Sequence, residues 1–290
     1  MGNLDNGMMD GDDAPCGSDE HARRIRWLEQ MDGPIVPLAS EYAPAHVGPR
    51  HRHSRAQLLY AWRGVVMVTT EEGRWMVPPD HALWVPPGIE HAVQCHGRVS
   101  MRSIYVRPDA VPGLPAGSRV VGLTDLMRSL LVETAAVPPH QDPGSRAGLI
   151  LALILAEIPN LPERPLGLPF PAEPRLAALC RDFLDSPSPH ATIDSWAGNL
   201  AMSRRAFTRA FRRETGLSLS AWRQQASLFA ALPRLARGET VTSVALDLGY
   251  DSIAAFTTMF KRVLGAPPSR YLREALGRRD RGWSAAPVTP

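Results

Sequence analysis

Residues 203–216 read SRRAFTRAFRRETG and residues 252–265 read SIAAFTTMFKRVLG, so one pattern of serine, phenylalanine, threonine, basic residues and glycine occurs twice. Serine is a favoured helix N-cap because its hydroxyl accepts a hydrogen bond from an unpaired backbone N–H. Glycine commonly follows a helix because it enters the left-handed region without steric cost. The repeat therefore predicts two helices of about three turns each, built to one design.

The two predicted helices differ in the faces they expose. At about 100° per residue, Phe207, Ala210 and Phe211 form the apolar face of the first helix. Its opposite face holds Arg205, Thr208, Arg209 and Arg212. In the second helix the predicted buried residues are Ile253, Phe256, Met259 and Phe260, and the predicted exposed residues are Ala254, Thr257, Thr258 and Lys261. A solvated amphipathic helix is the alternative interpretation, but the single sign of charge on the first helix favours a polyanionic partner.

A shorter predicted helix precedes each of these two. Residues 193–200 lead to Ser203 through a two-residue connection, and residues 241–249 lead to Ser252 in a similar way. Two helices with such a short connection are typical of a helix-turn-helix unit.

Residues 175–274 resemble the DNA-binding domain of AraC/XylS-type transcriptional regulators. The matching motifs are Ser203-x-Arg205-x-Phe207-x-Arg209-x-Phe211-Arg212, Glu214-Thr215-Gly216-Leu217-Ser218, Ala245-x-x-Leu248-Gly249-Tyr250-x-Ser252 and Phe260-Lys261-Arg262-x-x-Gly265-x-Pro267-Pro268-x-x-Tyr271. In that family two helix-turn-helix units, joined by a long helix, enter successive major grooves of double-stranded DNA. The resemblance implies that residues 220–236 form this joining helix. The resemblance implies a sequence-specific transcriptional regulator with recognition helices at 203–214 and 252–262.

The residue types suggest unequal roles for the two recognition helices. Arginine pairs bidentately with O6 and N7 of guanine, so Arg205 and Arg209 are the predicted base readers, with Thr208 between them. Arg212 and Arg213 lie one turn later and are predicted to hold phosphates. The second helix offers methyl groups and weak hydrogen bonds but no bidentate donor, and its predicted DNA-contacting residues are Ala254, Thr257, Thr258 and Lys261. We therefore expect the first unit to supply most of the base discrimination.

The charge distribution divides the chain in the same way. Residues 173–281 contain 17 Lys and Arg against 10 Asp and Glu, whereas residues 1–172 contain 15 against 19. A basic C-terminal part beside an acidic remainder is typical of a DNA-binding domain attached to a regulatory domain.

The cysteine pattern and the lack of long apolar runs predict the compartment. Cys16, Cys95 and Cys180 are scattered without a metal-type pair, which predicts reduced thiols. The acidic N-terminus has no apolar run of the kind found in signal peptides, and no apolar run reaches transmembrane length. The sequence therefore predicts a cytoplasmic protein with no membrane partner.

Short β-type runs separated by Gly, Pro and Asp occupy residues 34–106 and predict a small barrel or jelly roll. They contain His51-x-His53-x-x-x-Gln57-x-x-x-x-x-x-Gly64 and Asp80-x-x-x-x-x-Pro86-x-Gly88-x-x-His91. These stretches resemble the two motifs of the cupin fold, in which two His, one Glu and a later His bind a metal. Carried over by position, His51, His53 and His91 stand at the histidine positions, and Gln57 stands at the glutamate position.

Three departures from the cupin pattern leave the ligand open. Gln57 is neutral and attracts a divalent cation less strongly than a carboxylate, Asp80 replaces Gly, and Cys95 stands where Asn is typical. Sensor cupins of AraC-type regulators often keep the fold and use the barrel for an effector. Two interpretations remain, a divalent metal site and a small-molecule effector pocket, and the sequence assigns no definite cofactor. Both concern the same residues, His51, His53, Gln57 and His91.

Apolar residues at helical spacing in residues 120–136 and 147–158 predict two antiparallel helices after the barrel. Such helices form a dimer interface in the resembled family, and packing on the barrel is the alternative. The predicted domains are a disordered acidic N-terminus at 1–30, a cupin-like sensor and dimerisation domain at 31–158, a proline-rich linker at 159–174, an AraC-type DNA-binding domain at 175–276 and a flexible tail at 277–290.

The sequence thus predicts an α+β multidomain protein, with an N-terminal β-barrel of cupin or jelly-roll type carrying two helices and an all-α domain with two helix-turn-helix units. The predicted function is an effector-responsive transcriptional regulator, not an enzyme. Its predicted partners are double-stranded DNA, a small-molecule or metal effector and a second copy of the chain, with RNA polymerase as a further candidate. The alternative is a metal-dependent cupin enzyme of the dioxygenase or isomerase type fused to a DNA-binding module. Activation and repression are not distinguished.

Overall fold

The computed structural model of the protein describes residues 18–134, 137, 142–187 and 191–276. The elements before the helical domain are α1 Ser18–Gln30, β1 Ile35–Tyr42, β2 Ala56–Thr69, β3 Gly73–Val77, β4 His81–Val85, β5 Ala92–Val106, β6 Arg119–Gly122, α2 Asp125–Glu133, α3 Arg146–Glu157, β7 Glu163–Arg164 and β8 Gly167–Pro169. The remaining helices are α4 Pro174–Asp185, α5 Ile193–Asn199, α6 Arg204–Thr215, α7 Leu219–Ala236, α8 Val241–Asp247, α9 Ile253–Leu264 and α10 Pro268–Leu276. The predicted α+β arrangement is confirmed.

The strands form an antiparallel sheet in the order β1-β5-β2-β4-β6-β7, with β3 paired to both β2 and β8. The two longest strands, β2 and β5, pair along most of their length, from Ala56 opposite Val106 onward. Their register shifts beside Gly64, which has a φ of 82°. A Cβ atom at this position would lie 2.6 Å from the carbonyl oxygen of Arg98, so the β-bulge requires glycine.

Helix α1 corrects the prediction of a disordered N-terminus over residues 1–30, because its residues 18–30 are helical. The helix has an apolar surface to cover: Leu28 is only 1% exposed. The sheet residues in its cluster are Val36, Leu38 and Tyr105. A high content of Asp and Gly before the helix indicated disorder, but tertiary packing stabilises the helix that follows.

Two further boundaries differ from the prediction. Residues 120–122 belong to β6, which pairs with β4, and α2 begins only after its N-cap Thr124. The proline-rich segment predicted as a linker contains β7 and β8, which pair with β6 and β3. Strands this short are stable only as additions to an existing sheet, so local sequence does not reveal them. Residues 1–17 and 277–290 lie outside the described part of the chain.

Helices α4 to α10 form the C-terminal domain, in which α5 and α6 are the first helix-turn-helix unit and α8 and α9 the second. The hydroxyls of Ser203 and Ser252 each accept a hydrogen bond from the backbone N–H three residues later. Gly216 and Gly265 end α6 and α9 with φ of 72° and 80°. The repeat in the sequence is therefore a repeat in the structure, and the predicted caps are confirmed.

Two aromatic clusters hold these units on the long helix α7. Ring centroids in the first cluster are 5.7 to 6.3 Å apart in the contacting pairs. Its members are Phe183, Trp196, Phe207, Phe211 and Trp222. The second cluster consists of Tyr250, Phe256, Phe260 and Tyr271. Helix α7 also reaches the sheet domain, because the indole N–H of Trp222 donates to the carbonyl oxygen of Pro169 at 2.9 Å.

Candidate functional site

Helix α6 presents a continuous basic face to solvent. Phe207 and Phe211 are buried against Trp196, and these contacts fix the rotation of the helix about its axis. The exposed residues on the other side are Arg204, Arg205, Thr208, Arg209, Arg212 and Arg213. All five residues predicted to contact DNA from this helix are therefore accessible.

Three arginines of this face, Arg205, Arg209 and Arg212, make no ion pair with any residue that the structure describes. Their neighbours Arg204 and Arg213 lie 3.4 and 3.1 Å from acidic side chains. Exposed ion pairs of this kind contribute little stability. The whole face can therefore bind a polyanion, and three of its guanidinium groups can do so without giving up an acidic partner.

Helix α9 exposes a much less polar face. The residues buried as predicted are Phe256, Met259 and Phe260. Ile253 was predicted to be buried, but 43% of its surface is exposed, because it occupies the first helical position, ahead of the turn that meets the core. Thr257 was predicted to be exposed and is half-buried. The residues exposed as predicted are Ala254, Thr258 and Lys261.

A second candidate site lies in the sheet domain, where the two predicted histidine motifs meet. His51 and His91 form an antiparallel bridge in which each backbone N–H donates to the carbonyl oxygen of the other, at 3.0 and 2.9 Å. The bridge brings both rings beside His53. One nitrogen from each of the three rings lies within 4.8 Å of the other two. We name these three residues the histidine cluster.

A backbone carbonyl group fixes the orientation of each of the three rings of the cluster. The Nδ1 atoms of His51, His53 and His91 lie 3.0, 2.5 and 2.9 Å from the carbonyl oxygen of a residue two positions away. A carbonyl oxygen can only accept, so Nδ1 carries the proton and Nε2 keeps its lone pair. The same outer contacts orient histidines that bind metals. The cluster therefore offers three neutral nitrogen ligands.

Gln57 lies beside the cluster, with 3.2 Å between its Oε1 atom and Nε2 of His53. Its amide nitrogen donates to the hydroxyl of Ser103 at 2.8 Å and lies 3.3 Å from the hydroxyl of Tyr105. These two contacts turn the amide oxygen towards His53, so two hydrogen-bond acceptors face each other. A cation near this point would remove their repulsion.

Burial keeps the imidazoles of the cluster neutral. It lowers the pKa of His91 to about 3, with a smaller decrease from the neighbouring His51. Burial also lowers the pKa of His51 and of His53 from the usual value. The neutral ring is the form that binds a metal ion, so the cluster is in its ligating form at neutral pH.

Helix α1 adds residues to this site that the motifs did not predict. The ring centroid of His21 lies 4.2 Å from that of His51 in an edge-on contact, and Arg24 donates to the hydroxyl of Ser40 at the same cavity. The cavity that they enclose has a volume of about 40 Å³. The helical spacing of His21 and Leu28 could have indicated that both lie on one buried face of a helix. The Asp- and Gly-rich residues before His21 indicated disorder instead.

Two family models match the chain: an AraC-like ligand-binding domain over residues 34–141 and a helix-turn-helix domain over residues 196–274. The chain is also 36% identical over 224 residues to the HTH-type transcriptional regulator NimR of Escherichia coli strain K12, covering 77% of this chain and 82% of NimR. The chain belongs to the AraC family of transcriptional regulators. Both candidate sites of this AraC-family regulator lie within the matched ranges, except for α1.

Two further similarities accompany these matches. The uncharacterized HTH-type transcriptional regulator YobQ of Bacillus subtilis strain 168 is 25% identical over 228 residues, covering 76% of this chain and 87% of YobQ. The structure of unsaturated fatty acid bound ToxT from Vibrio cholerae aligns with 87% of this chain and 99% of its own, at 10% identity and a TM-score of 0.37.

These matches decide between the two predicted functions. The AraC-family protein is a DNA-binding transcriptional regulator with a ligand-binding domain, and its homologues are regulators and not enzymes. Among the described helices of this regulator, none combines the length and apolarity needed to cross a bilayer.

Proposed function

We propose that this regulator reads DNA mainly through α6, adds weaker contacts through α9, and responds to an effector bound at the histidine cluster. The observation that carries the proposal is the exposed face of α6, where three arginines without ion pairs lie opposite a buried aromatic core. A rigid helix with arginines on one side is the arrangement that places guanidinium groups against base edges in a major groove.

The spacing within α6 supports separate roles along its length. Arg205 and Arg209 are four residues apart and share one side of the helix, so both can reach base edges. Arg212 and Arg213 lie nearer the C-terminal end, where they are suited to phosphate contacts. Thr208 donates its hydroxyl to the carbonyl oxygen of its own helix at 2.8 Å, which leaves its methyl group for a thymine.

Helix α9 is suited mainly to apolar contacts with bases, with one charged contact at its end. Ile253, Ala254 and Thr258 offer methyl groups at its exposed side, and Lys261 at its last turn can hold a phosphate. Thr257 is half-buried, so only part of its side chain can contact DNA. Both recognition helices pack against α7. One rigid helix therefore sets their separation, as binding to successive major grooves of one duplex requires.

A divalent metal ion suits the histidine cluster better than a large effector. Pockets for drug-sized ligands usually have volumes of roughly 300 to 1,000 Å³, whereas this cavity has about 40 Å³. Neutral imidazoles with inward lone pairs are typical ligands of zinc, nickel and copper. The residues that would hold the ion are His51, His53 and His91, with Gln57 beside them. A bound ion would add positive charge and link the chain segments that carry these residues.

The partners in this proposal are double-stranded DNA, the effector, a second copy of the chain and RNA polymerase. Homodimer formation is supported by exposed leucines on α2 and α3, where Leu126, Leu149 and Leu153 face solvent. A protein that acts on DNA in this way works in the cytoplasm, the location that the cysteines predict. Cys95 and Cys180 are buried free thiols, which agrees with a reducing compartment.

Gel-shift titrations at several salt concentrations test this proposal, using a DNA fragment from upstream of the protein's own gene. We expect the logarithm of the binding constant to fall linearly with the logarithm of salt, as phosphate contacts require. Protein treated with EDTA and protein reloaded with Zn²⁺ should differ in affinity, and His91→Ala should abolish that difference. Salt-insensitive binding would contradict the DNA interface. Equal binding by both preparations, with a response to small organic molecules instead, would contradict the metal effector alone.

A further inference from the structure

We propose that His21 of α1 is a fourth ligand of the divalent ion at the histidine cluster, so that the ion fixes the N-terminal helix on the sheet. The proposal rests on the metal effector proposed above. It assigns a role to a residue that lies outside both histidine motifs and outside the matched ligand-binding range of residues 34–141.

The histidine cluster by itself is one strong ligand short of a complete site. Zinc in proteins is almost always four-coordinate in structural sites, with nitrogen and sulfur as preferred ligands. The cluster supplies three nitrogens. Gln57 stands where the cupin motif places a carboxylate, and its neutral amide oxygen belongs to a ligand class that suits harder ions such as Mg²⁺ or Ca²⁺. A fourth imidazole from another element would complete the set.

His21 supplies an imidazole at the required place. Its ring lies 4.2 Å from that of His51, between centroids. Its Nε2 atom is buried and has no hydrogen-bond partner among the described residues, and the same is true of Nε2 of His91. Buried polar atoms without partners are uncommon in native proteins. His21 lines the small cavity, and His91 contacts His51, which lines it too. A metal ion held between these rings can satisfy both nitrogens at once.

The contacts of α1 explain how His21 reaches the cluster. Leu28 is buried on the sheet, and the Glu29 carboxylate accepts from the backbone N–H of Ser54 at 2.7 Å and from its hydroxyl. His21 and Leu28 are seven residues apart, which places them on the same side of an α-helix. The face that anchors α1 therefore also presents His21 to the cavity.

Ligation requires one adjustment. His21 contacts His51 edge-on and is not among the residues whose nitrogens lie within 4.8 Å of one another. Its ring must turn from this contact towards the other three imidazoles. His46 is a matched comparison, because it lines the same cavity but stacks on Tyr42 with 4.6 Å between ring centroids.

Cobalt substitution in the full-length protein tests the proposal. Metal-free protein would be titrated with Co²⁺, whose visible absorption is strong in four-coordinate sites and weak in six-coordinate sites. We expect a strong spectrum with one ion bound to the parent protein. His21→Ala and His21→Gln should both weaken that spectrum and lower Zn²⁺ affinity by at least about tenfold. His46→Ala should leave both unchanged. Circular dichroism would verify that each variant folds.

Proteolysis of α1 gives a second, independent readout. Zn²⁺ should protect the helix from cleavage in the parent and in His46→Ala, but not in either His21 variant. Unchanged spectra and protection in the His21 variants would overturn the proposal while leaving a three-histidine metal site intact. If the parent binds neither Co²⁺ nor Zn²⁺, the metal effector fails with it. Salt-sensitive DNA binding by the same preparation would show that the proposed DNA interface still stands.

Discussion

At the scale of single residues, the repeat places different chemistry at equivalent positions. Arg205 and Arg209 of α6 correspond to Ala254 and Thr258 of α9. All four are exposed, so the difference is one of chemistry and not of access. Only the arginines can make bidentate contacts with guanine. Two helices with the same caps and the same buried phenylalanines are therefore expected to contribute unequally to specificity.

Replacing Arg205 or Arg209 with alanine should weaken binding to the cognate DNA site by about 1–3 kcal/mol each and relax base preference locally. The physical reason is the loss of two hydrogen bonds to one guanine. Fluorescence anisotropy on cognate and scrambled duplexes would measure both effects. Arg63→Ala, an exposed arginine of the sheet domain, removes the same charge and is the control. If both variants distinguish cognate from scrambled DNA as well as the parent does, Arg205 and Arg209 are not the base readers.

Ile253→Ala should weaken binding by about 1 kcal/mol at a site where the side chain contacts a thymine methyl group. Without such a contact, an exposed isoleucine would be an unfavourable residue on a charged binding surface. Replacing individual thymines with deoxyuridine identifies the partner base, because the methyl deletion and the Ile253 variant should then not be additive. Full additivity at every thymine would show that Ile253 does not read the second groove.

At the scale of elements, α3 has two apolar faces with different roles. Ile154 and Leu151 are buried in the core that α2, α3 and one side of the sheet form together. Leu149 and Leu153 face outwards and are 61% and 41% exposed. The sequence left open whether these helices pack on the sheet or pair with a second chain. The buried face establishes packing on the sheet, and the exposed face remains available for a partner helix.

Leu149→Asp combined with Leu153→Asp should convert a dimer into a monomer, because two charges would be placed in an apolar helix–helix contact. Sedimentation velocity would measure the change, and thermal unfolding should shift little since both side chains are exposed. Leu246→Asp is the matched control, because Leu246 of α8 is equally apolar and is also exposed. Identical association by the double variant and the parent would exclude this face.

At the scale of the whole molecule, α7 connects the two domains. It packs against both recognition helices and also lies against β2, β5 and β8. The hydrogen bond from Trp222 to Pro169 joins its first turns to the sheet. A shift of the sheet domain can therefore reach α6 and α9 through one helix. This connection gives an effector in the sheet domain a physical route to the DNA-binding surface.

The metal-free protein should lose stability as the pH falls from 6.5 towards 5. Burial lowers the pKa of His91 to about 3 in the folded chain, so below pH 6.5 the unfolded chain binds a proton that the folded chain does not. The free energy of unfolding then falls by at most about 1.4 kcal/mol per pH unit for this residue. Urea titrations at several pH values would show the slope, and His91→Gln should reduce it. A flat profile in the parent would contradict the neutral, buried state.

The sequence predicted the main features of this protein that depend on local spacing. Serine and glycine at matching offsets fix the limits of α6 and α9, and the phenylalanines between them fix the buried face. The two helix-turn-helix units could therefore be predicted, except that Ile253 is exposed and Thr257 is half-buried. The resemblance to the two cupin motifs likewise predicted that His51, His53 and His91 belong together.

Features that depend on contacts between distant segments could not be predicted from local sequence. His21 reaches the histidine cluster because Leu28 anchors α1 on a sheet formed by later residues. The short strands β7 and β8 exist because β6 and β3 offer them free edges. Ile253 is exposed because the contact of α9 with the core begins only one turn further along the helix. In each case the free energy comes from surfaces brought together by folding, and local sequence does not record which surfaces will meet.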